Sequence, residues 1–520
     1  MTTKILVRRN DYHDSMVLMQ INHQIIGMPG IIRSAILMAT ENNKPLLKDY
    51  GFFDKNISDA QANDLVICLE ATGDKTLDEA VSLIEEFLRE TWKRQRRGRR
   101  FASLESACES FQGSNLAVIS VPGQFAGREA RKALERNLNV FLFSDNVSLE
   151  EEIELKRLAI KKNLLMMGPD CGTAIINGVG LGFANSVQDG PIGIVGASGS
   201  GIQEICTILE RFGNLGISHA IGIGGRDVSE TVQGMGAVQG LELLDQDKET
   251  KCIIFLSKPP GQNVSLKILE KVEKLNKPVV ICFLGKTLND YPGRANKNIC
   301  IVESIEQAAL KATEVMGSRM NLEIIRSSEE LEFLAHAEAK KLTRDQQFIR
   351  AIFSGGSLCY ESMMLFSRCV NRLYSNISMP GFKRLENRFI SMENTFLDMG
   401  DDEWTRGRVH PMIDPTLIAE RIRFEGKDPT VRVILFDVAL GYGTHPDPAS
   451  ILVPAIMDAK QESETNNRYL VVVAHVCGTE GDPQDTLKQE EQLTRAGALV
   501  LQTNLQATKL ALSILRAQPK

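Results

Sequence analysis

Residues 192–204 read Ile-Gly-Ile-Val-Gly-Ala-Ser-Gly-Ser-Gly-Ile-Gln-Glu. An apolar run without polar alternation closes on a glycine- and serine-rich turn. Strands buried on both faces of a parallel sheet read this way. The turn then leads into a predicted helix. Open parallel sheets bind their ligands beyond the carboxyl ends of the strands, where such turns lie.

Working outward, similar short runs recur at Leu116–Val121, Val140–Phe143, Leu164–Met167, His219–Ile223, Cys252–Leu256 and Val279–Phe283. The segments between them have room for crossover helices. After a charged stretch at 318–350 the rhythm resumes at Ala351–Phe353, Phe396–Leu397, Val431–Phe436, Tyr469–Ala474 and Leu499–Leu501. The two stretches are expected to be copies. Gly199-Ser200-x-x-x-Glu204 returns as Gly356-Ser357-x-x-x-Glu361, each after a strand. Gly224-Gly225-Arg226-Asp227 corresponds to Leu397-Asp398-Met399-Gly400-Asp401-Asp402. Lys258-Pro259-Pro260-Gly261 corresponds to Gly441-Tyr442-Gly443-Thr444-His445, and Gly285-Lys286-Thr287 to Cys477-Gly478-Thr479-Glu480-Gly481-Asp482.

The first hundred residues differ. Strands are expected at Lys4–Arg8, Ile31–Met38 and Leu65–Leu69, and helices over Ser15–Met28 and Thr76–Leu88. That order suits a small ferredoxin-like α+β module. A basic run follows, with Lys93, Arg94, Arg96, Arg97, Arg99 and Arg100. It reads as a solvated helix end and linker, since no aromatic stacking surface accompanies it, with an anion or nucleic-acid contact as the alternative.

The chain has 520 residues, 43% hydrophobic and 24% charged, with a net charge of −6. These values suit a soluble globular protein of several domains and argue against nucleic acid as the partner. No apolar run is long enough to span a membrane. No signal sequence opens the chain, and its ten scattered cysteines form no Cys-x-x-Cys pair. A cytoplasmic location is therefore expected. The expected domains are 1–105, 112–188, 189–317, a helical connector at 318–348, and 349–520.

A helix start preceded by glycine favours an anion, because its N–H groups point outward and the dipole adds to their effect. Ser198, Gly199 and Ser200 in one copy, and Gly355, Gly356 and Ser357 in the other, are the candidate phosphate-binding residues. The same turns also serve as plain helix caps. Gly224, Gly225, Gly441, Gly443 and Gly478 are candidates for lining a substrate site. Arg226 is a candidate carboxylate or phosphate ligand, with a surface ion pair as the alternative. His445 and His475, at predicted strand ends, are candidates for proton transfer, with ordinary loop polarity as the alternative. No residue is assigned to a metal. The P-loop and the dinucleotide fingerprint are both absent.

Met167-Gly168-Pro169-Asp170-Cys171-Gly172 resembles the Gly-Pro-Asn-Cys segment of acyl-CoA synthetases of the succinyl-CoA synthetase type. Ile192–Glu204, Ala220–Asp227 and Lys277-Pro278-Val279-Val280 resemble further segments of their α subunit. The second copy is similar to the carboxy-terminal domain of their β subunit. The full order, including Thr395–Asp401, Arg408-Val409-His410-Pro411 and Val476–Pro483, is similar to the FdrA family. The resemblance implies a Rossmann-like CoA-binding-type domain and two flavodoxin-like parallel-sheet domains behind the small module. It also implies a subunit of an oxamate carbamoyltransferase, a multi-subunit enzyme of anaerobic allantoin breakdown. Its small molecules would be oxalurate or oxamate, and phosphate or carbamoyl phosphate. CoA is the one cofactor the resemblance allows. Synthetases of this type carry a phosphohistidine in a loop that here reads Asp290-Tyr291-Pro292-Gly293-Arg294-Ala295-Asn296-Lys297, with no histidine. The alternatives are a CoA-dependent acyl transferase or ligase, and a non-catalytic assembly scaffold.

Overall fold

The structure is a computed structural model. It describes residues 2–518 except 14, 41–42, 96–100, 102, 295–297, 322–324 and 406–407. Arg96, Arg97, Arg99 and Arg100 of the basic run thus lie outside the described residues. The chain divides into two compact units. One holds residues 1–111 with 405–409, and the other holds 112–404 with 410–520.

In the first unit the strand Leu65–Ala71 lies between Thr2–Arg8 and Ile31–Met38 and runs antiparallel to both. The helices Ser15–Ile26 and Asp74–Gln95 supply Leu18, Ile21, Ile25, Leu77, Ala80, Ile84 and Leu88 to its core. This is the split β-α-β arrangement of a small α+β module.

Among its described residues the second unit contains three sheets. Leu116–Ile119, Asn139–Leu142 and Met166–Met167 form a small parallel, Rossmann-like sheet. The other two sheets have seven strands each. In the first, Ile217–Gly222, Asp189–Gly196, Cys252–Ser257, Val279–Phe283 and Ile299–Val302 lie side by side and parallel. In the second, Asn394–Asp398, Phe348–Phe353, Val431–Ala439, Val471–Cys477 and Leu499–Leu501 do the same. Numbered along the chain, both five-strand cores have the order 2-1-3-4-5, the flavodoxin-like winding. The expected repeat is therefore a repeat of topology.

Each core is extended differently. The hairpin Thr173–Ile176/Val179–Gly182 pairs antiparallel with Ile217–Gly222, so part of the 112–188 segment belongs to the first large sheet. Leu373–Ser375 and Phe382–Arg384 extend the second sheet beyond Asn394–Asp398.

One hydrophobic core serves both copies. Ile202, Ile205 and Leu209 of the first share it with Leu358, Met363 and Phe366 of the second, and with Leu510 and Ile514 near the carboxyl end. Ile205 is fully buried there. Replacing it with alanine should cost about 2–5 kcal/mol of stability, depending on how far the cavity collapses. Urea unfolding of the full chain measures this, and an unchanged midpoint would contradict the shared core.

Candidate functional site

The two glycine-serine turns start the helices Gly199–Ile208 and Gly356–Ser367. They meet face to face. The Ser357 N–H donates to Ser200 Oγ at 3.4 Å. A Cβ placed on Gly355 would stand 2.7 Å from the Ser200 Cβ, so glycine there is what lets the turns touch. Ser200 and Ser357 are both buried.

Their roles differ in detail. Ser198 caps its own helix, accepting from the Gly201 N–H at 2.9 Å. In the second copy no side chain of the turn caps the helix. Instead Asp437, at the neighbouring strand, accepts from the Ser354 N–H and hydroxyl at 2.5 and 2.9 Å, and from the Gly355 N–H at 3.2 Å. Burial raises the Asp437 carboxyl, and these bonds pull the other way. Among the described residues, the N–H groups of Gly199, Ser200 and Gly356 have no hydrogen-bond partner. They remain as donors at two converging helix starts.

Two charged groups flank this point. A Cβ on Gly356 would stand 2.5 Å from Asp398 Oδ2 and 3.6 Å from Lys258 Nζ. Lys258 lies at the end of the strand Cys252–Ser257, with its ammonium 5.6 Å from the centre of the Tyr360 ring. Sequence reasoning used Lys258 and Asp398 only as landmarks of the repeat. Their positions at the carboxyl ends of parallel strands were the available signal.

Glu204 and Glu361, the last residues of the repeated motif, explain why it repeats. Glu204 Oε1 accepts from the Asn504 N–H at 2.9 Å, in the first turn of the second copy's last helix. Glu361 Oε1 accepts from the Ile305 N–H at 2.8 Å, in the first turn of the first copy's last helix. Each glutamate thus places a carboxylate at a helix start of the opposite copy.

His475 lies inside the strand Val471–Cys477, fully buried, and not at its end. Its Nε2 is 2.6 Å from Glu204 Oε2, and its Nδ1 is 3.2 Å from the Leu501 carbonyl. Both ring nitrogens are committed. Burial opposes charge on this histidine, but Glu204 beside it raises its pKa. Burial also works to raise Glu204, yet His475 and the Asn504 N–H bring it below its usual range. Cys477 completes a buried Glu-His-Cys group. Its thiol is held far up by burial.

Arg226 is tied to Glu152 at 2.9 Å and to the Val147 carbonyl at 2.9 Å. Its neighbour Asp227 pairs with Lys156 at 2.6 Å and accepts from the Gly236 and Ala237 N–H groups. This turn is a structural knot. His445 Nδ1 accepts from the Asp447 N–H at 3.1 Å, and the His445 carbonyl accepts from Gln484 Nε2 at 3.2 Å. Among the other glycines, Gly224 is pressed by the Pro169 carbonyl, Gly441 by that of Ala184, Gly443 by that of Gly182 and Gly478 by the Leu440 side chain. These four are small because the chain itself passes close by. Of these five candidates, Gly225 alone has room for a Cβ, with its nearest neighbour 3.9 Å away.

Comparison with known proteins bears on this arrangement. The CoA-ligase family model matches residues 352–514. The CoA-binding-domain model matches 187–285, on the first large sheet. The model of the AllF heavy metal-associated domain matches 1–103. The uncharacterized protein YahF of Escherichia coli (strain K12) is 40% identical over 514 residues, 98% of each chain. The chain belongs to YahF's family, which is succinyl-CoA synthetase-like.

A succinate–CoA ligase α subunit of Archaeoglobus fulgidus is 29% identical over 34% of this chain and 59% of its own length. A solved acetyl-coenzyme A synthetase 1 of Ca. Korarchaeum cryptofilum aligns over 77% of this chain and 82% of its own, at 17% identity and a TM-score of 0.27. The metal in the amino-terminal model's description has poor support in the residues present. Cys68 is the single cysteine of residues 1–103. It lies buried within a strand, and burial pushes its thiol up to about 12. A soft metal ion is held by a set of thiolates, and one buried, protonated thiol does not supply it.

The pair Glu204–His475 sets a pH dependence. The raised His475 contributes stability that is complete below its unfolded value of about 6.5 and is lost as pH rises through the folded value. The lowered Glu204 contributes stability above its unfolded value of about 4.3, lost as pH falls through the folded value. Glu204→Gln should therefore cost about 3–5 kcal/mol near pH 6. It should also flatten the decline in stability above that pH. Denaturant midpoints of both proteins across pH 5–9 test this, and parallel curves would contradict it.

Proposed function

We propose that the chain is a subunit of a multi-subunit carbamoyltransferase that moves a carbamoyl group between oxalurate and phosphate, with oxamate and carbamoyl phosphate on the other side. The observation that carries this reading is the pair of helix starts meeting at Ser200 and Ser357, with Lys258 beside them. Their free N–H groups and hydroxyls suit a phosphate and the charge that develops on a transferring carbonyl. Lys258 adds a positive charge. The loop that would carry a phosphohistidine has none. A site that keeps paired anion holders without the nucleophile suits direct transfer to phosphate, with positioning as the main source of rate.

In this reading Ser200, Ser357, Gly199 and Gly356 hold phosphate, and Gly225 leaves room for the other substrate. Ser198 and Gly355 shape the turns. Arg226, His445 and His475 hold the surrounding loops and strands in place. Partner subunits complete the enzyme.

A second reading, CoA-dependent acyl transfer, is favoured by the CoA-binding-domain match at 187–285.

The test is to co-express the chain with its genomic neighbours, purify the complex and measure carbamoyl phosphate formed from oxalurate and phosphate. Activity should require this chain. Ser200→Ala with Ser357→Ala should raise the KM for phosphate about tenfold or more, the equivalent of at least one lost hydrogen bond to a charged group. An unchanged KM would contradict the assignment. CoA binding at micromolar strength without carbamoyl transfer would establish the second reading.

A further inference from the structure

Asp398 ends the strand Asn394–Asp398 and is 6% exposed. Its backbone is fixed from both sides by Asn376, which accepts from the Asp398 N–H and donates to its carbonyl, each at 2.9 Å. Of its two carboxylate oxygens, Oδ1 accepts from the Gly400 N–H at 3.1 Å. Among the described residues Oδ2 has no hydrogen-bond partner, and it is not among the sealed-off polar atoms. It lies against Gly356, where the two helix starts converge. The other acids and bases nearby are spoken for. Asp437 is held by the Ser354 and Gly355 donors, and Glu204 and His475 close on each other.

The groups facing Asp398 come from four elements. Lys258 approaches from the end of the strand Cys252–Ser257, Asp437 from Val431–Ala439, Asp401 from the turn that follows Asp398 itself, and Cys359, its thiol held far up by burial, from the helix Gly356–Ser367. His410 Nε2 stands 2.8 Å from where a Gly400 Cβ would be, and burial pushes that ring down to about 4, leaving it neutral. Burial pushes the Asp398 carboxyl up to about 6, with Lys258 pulling against it. A carboxyl near 6 takes and gives a proton at neutral pH.

We propose that Asp398 is the proton shuttle of the transfer, a role that rests on the carbamoyltransferase reading. Hydrogen phosphate attacks the carbamoyl carbon of oxalurate through one oxygen, forming the new C–O bond. Asp398 Oδ2 removes the remaining phosphate proton. The bond from that carbon to the oxamate nitrogen then breaks, its electron pair stays on nitrogen, and Asp398 delivers the same proton there. Oxalurate and hydrogen phosphate become oxamate and carbamoyl phosphate with no net proton gained or lost and no change of oxidation state.

The experiment compares wild type, Asp398→Asn and Asp398→Glu in the purified complex. It measures kcat from pH 5 to 8 and the equilibrium affinity for carbamoyl phosphate. Wild-type kcat should fall as pH drops through about 6. Asp398→Asn keeps an acceptor for the Gly400 N–H but has no base. Its kcat should fall about a hundredfold or more. Its acid limb should vanish, while carbamoyl phosphate affinity stays within about threefold, a change of well under 1.4 kcal/mol. Asp398→Glu should recover part of the rate and keep an acid limb. A merely structural aspartate would lose affinity along with rate in both variants, and that result overturns the proposal, as does an Asn variant with wild-type kcat. No carbamoyl transfer by the wild-type complex would instead remove the underlying reading, and the shuttle with it.

Discussion

Two buried carboxylates hold the molecule's central arrangement together. Glu204 reaches the first turn of the second copy's last helix, and Glu361 reaches the first turn of the first copy's last helix. Each sits one turn into the helix that its own glycine-serine turn begins. Fixing the glutamates across the copies therefore fixes the turns against each other. A buried carboxylate left without its N–H partner would be expensive, so register between the copies is tightly specified. Burial pushes Glu361 up to about 7, while His475 holds Glu204 low. The pseudo-symmetry is thus kept in geometry and broken in charge.

The same constraint creates the candidate site. Two helix starts that face one another cannot both cap themselves fully without losing the donors that a ligand needs. In the first copy Ser198 satisfies one backbone donor, and in the second Asp437 satisfies two backbone donors and the Ser354 hydroxyl. Of the donors that remain, that of Gly356 lies beside Lys258 and Asp398, and the first copy's turn meets it through Ser200 and Ser357. Holding a basic and an acidic group near one candidate anion site suits the proposed transfer, in which charge and a proton move together.

Much of this was legible in the sequence, for reasons of local physics. Runs such as Cys252–Leu256 and Val431–Phe436 are apolar throughout because both faces of their strands are covered, and they became strands as expected. The glycine-serine turns stood out because close approach demands small residues. What stayed hidden depends on partners far along the chain. The 300 residues between Glu204 and Asn504 leave no periodic trace. His475 reads as a strand-end residue until the strand is seen to run on to Cys477. Leu373–Ser375 and Phe382–Arg384 are three residues each, too short to carry a pattern. The glycines at 224, 441, 443 and 478 look like ligand contacts, but a neighbouring strand or loop fills the space instead.

The central claim is that the two turns form one anion site. Hydrogen exchange of the full chain, with and without inorganic phosphate, tests it most directly. Amides of residues 198–201 and 355–358 should be protected together, with a single apparent affinity. Protection of one turn alone, or of neither while phosphate binds elsewhere, would contradict it.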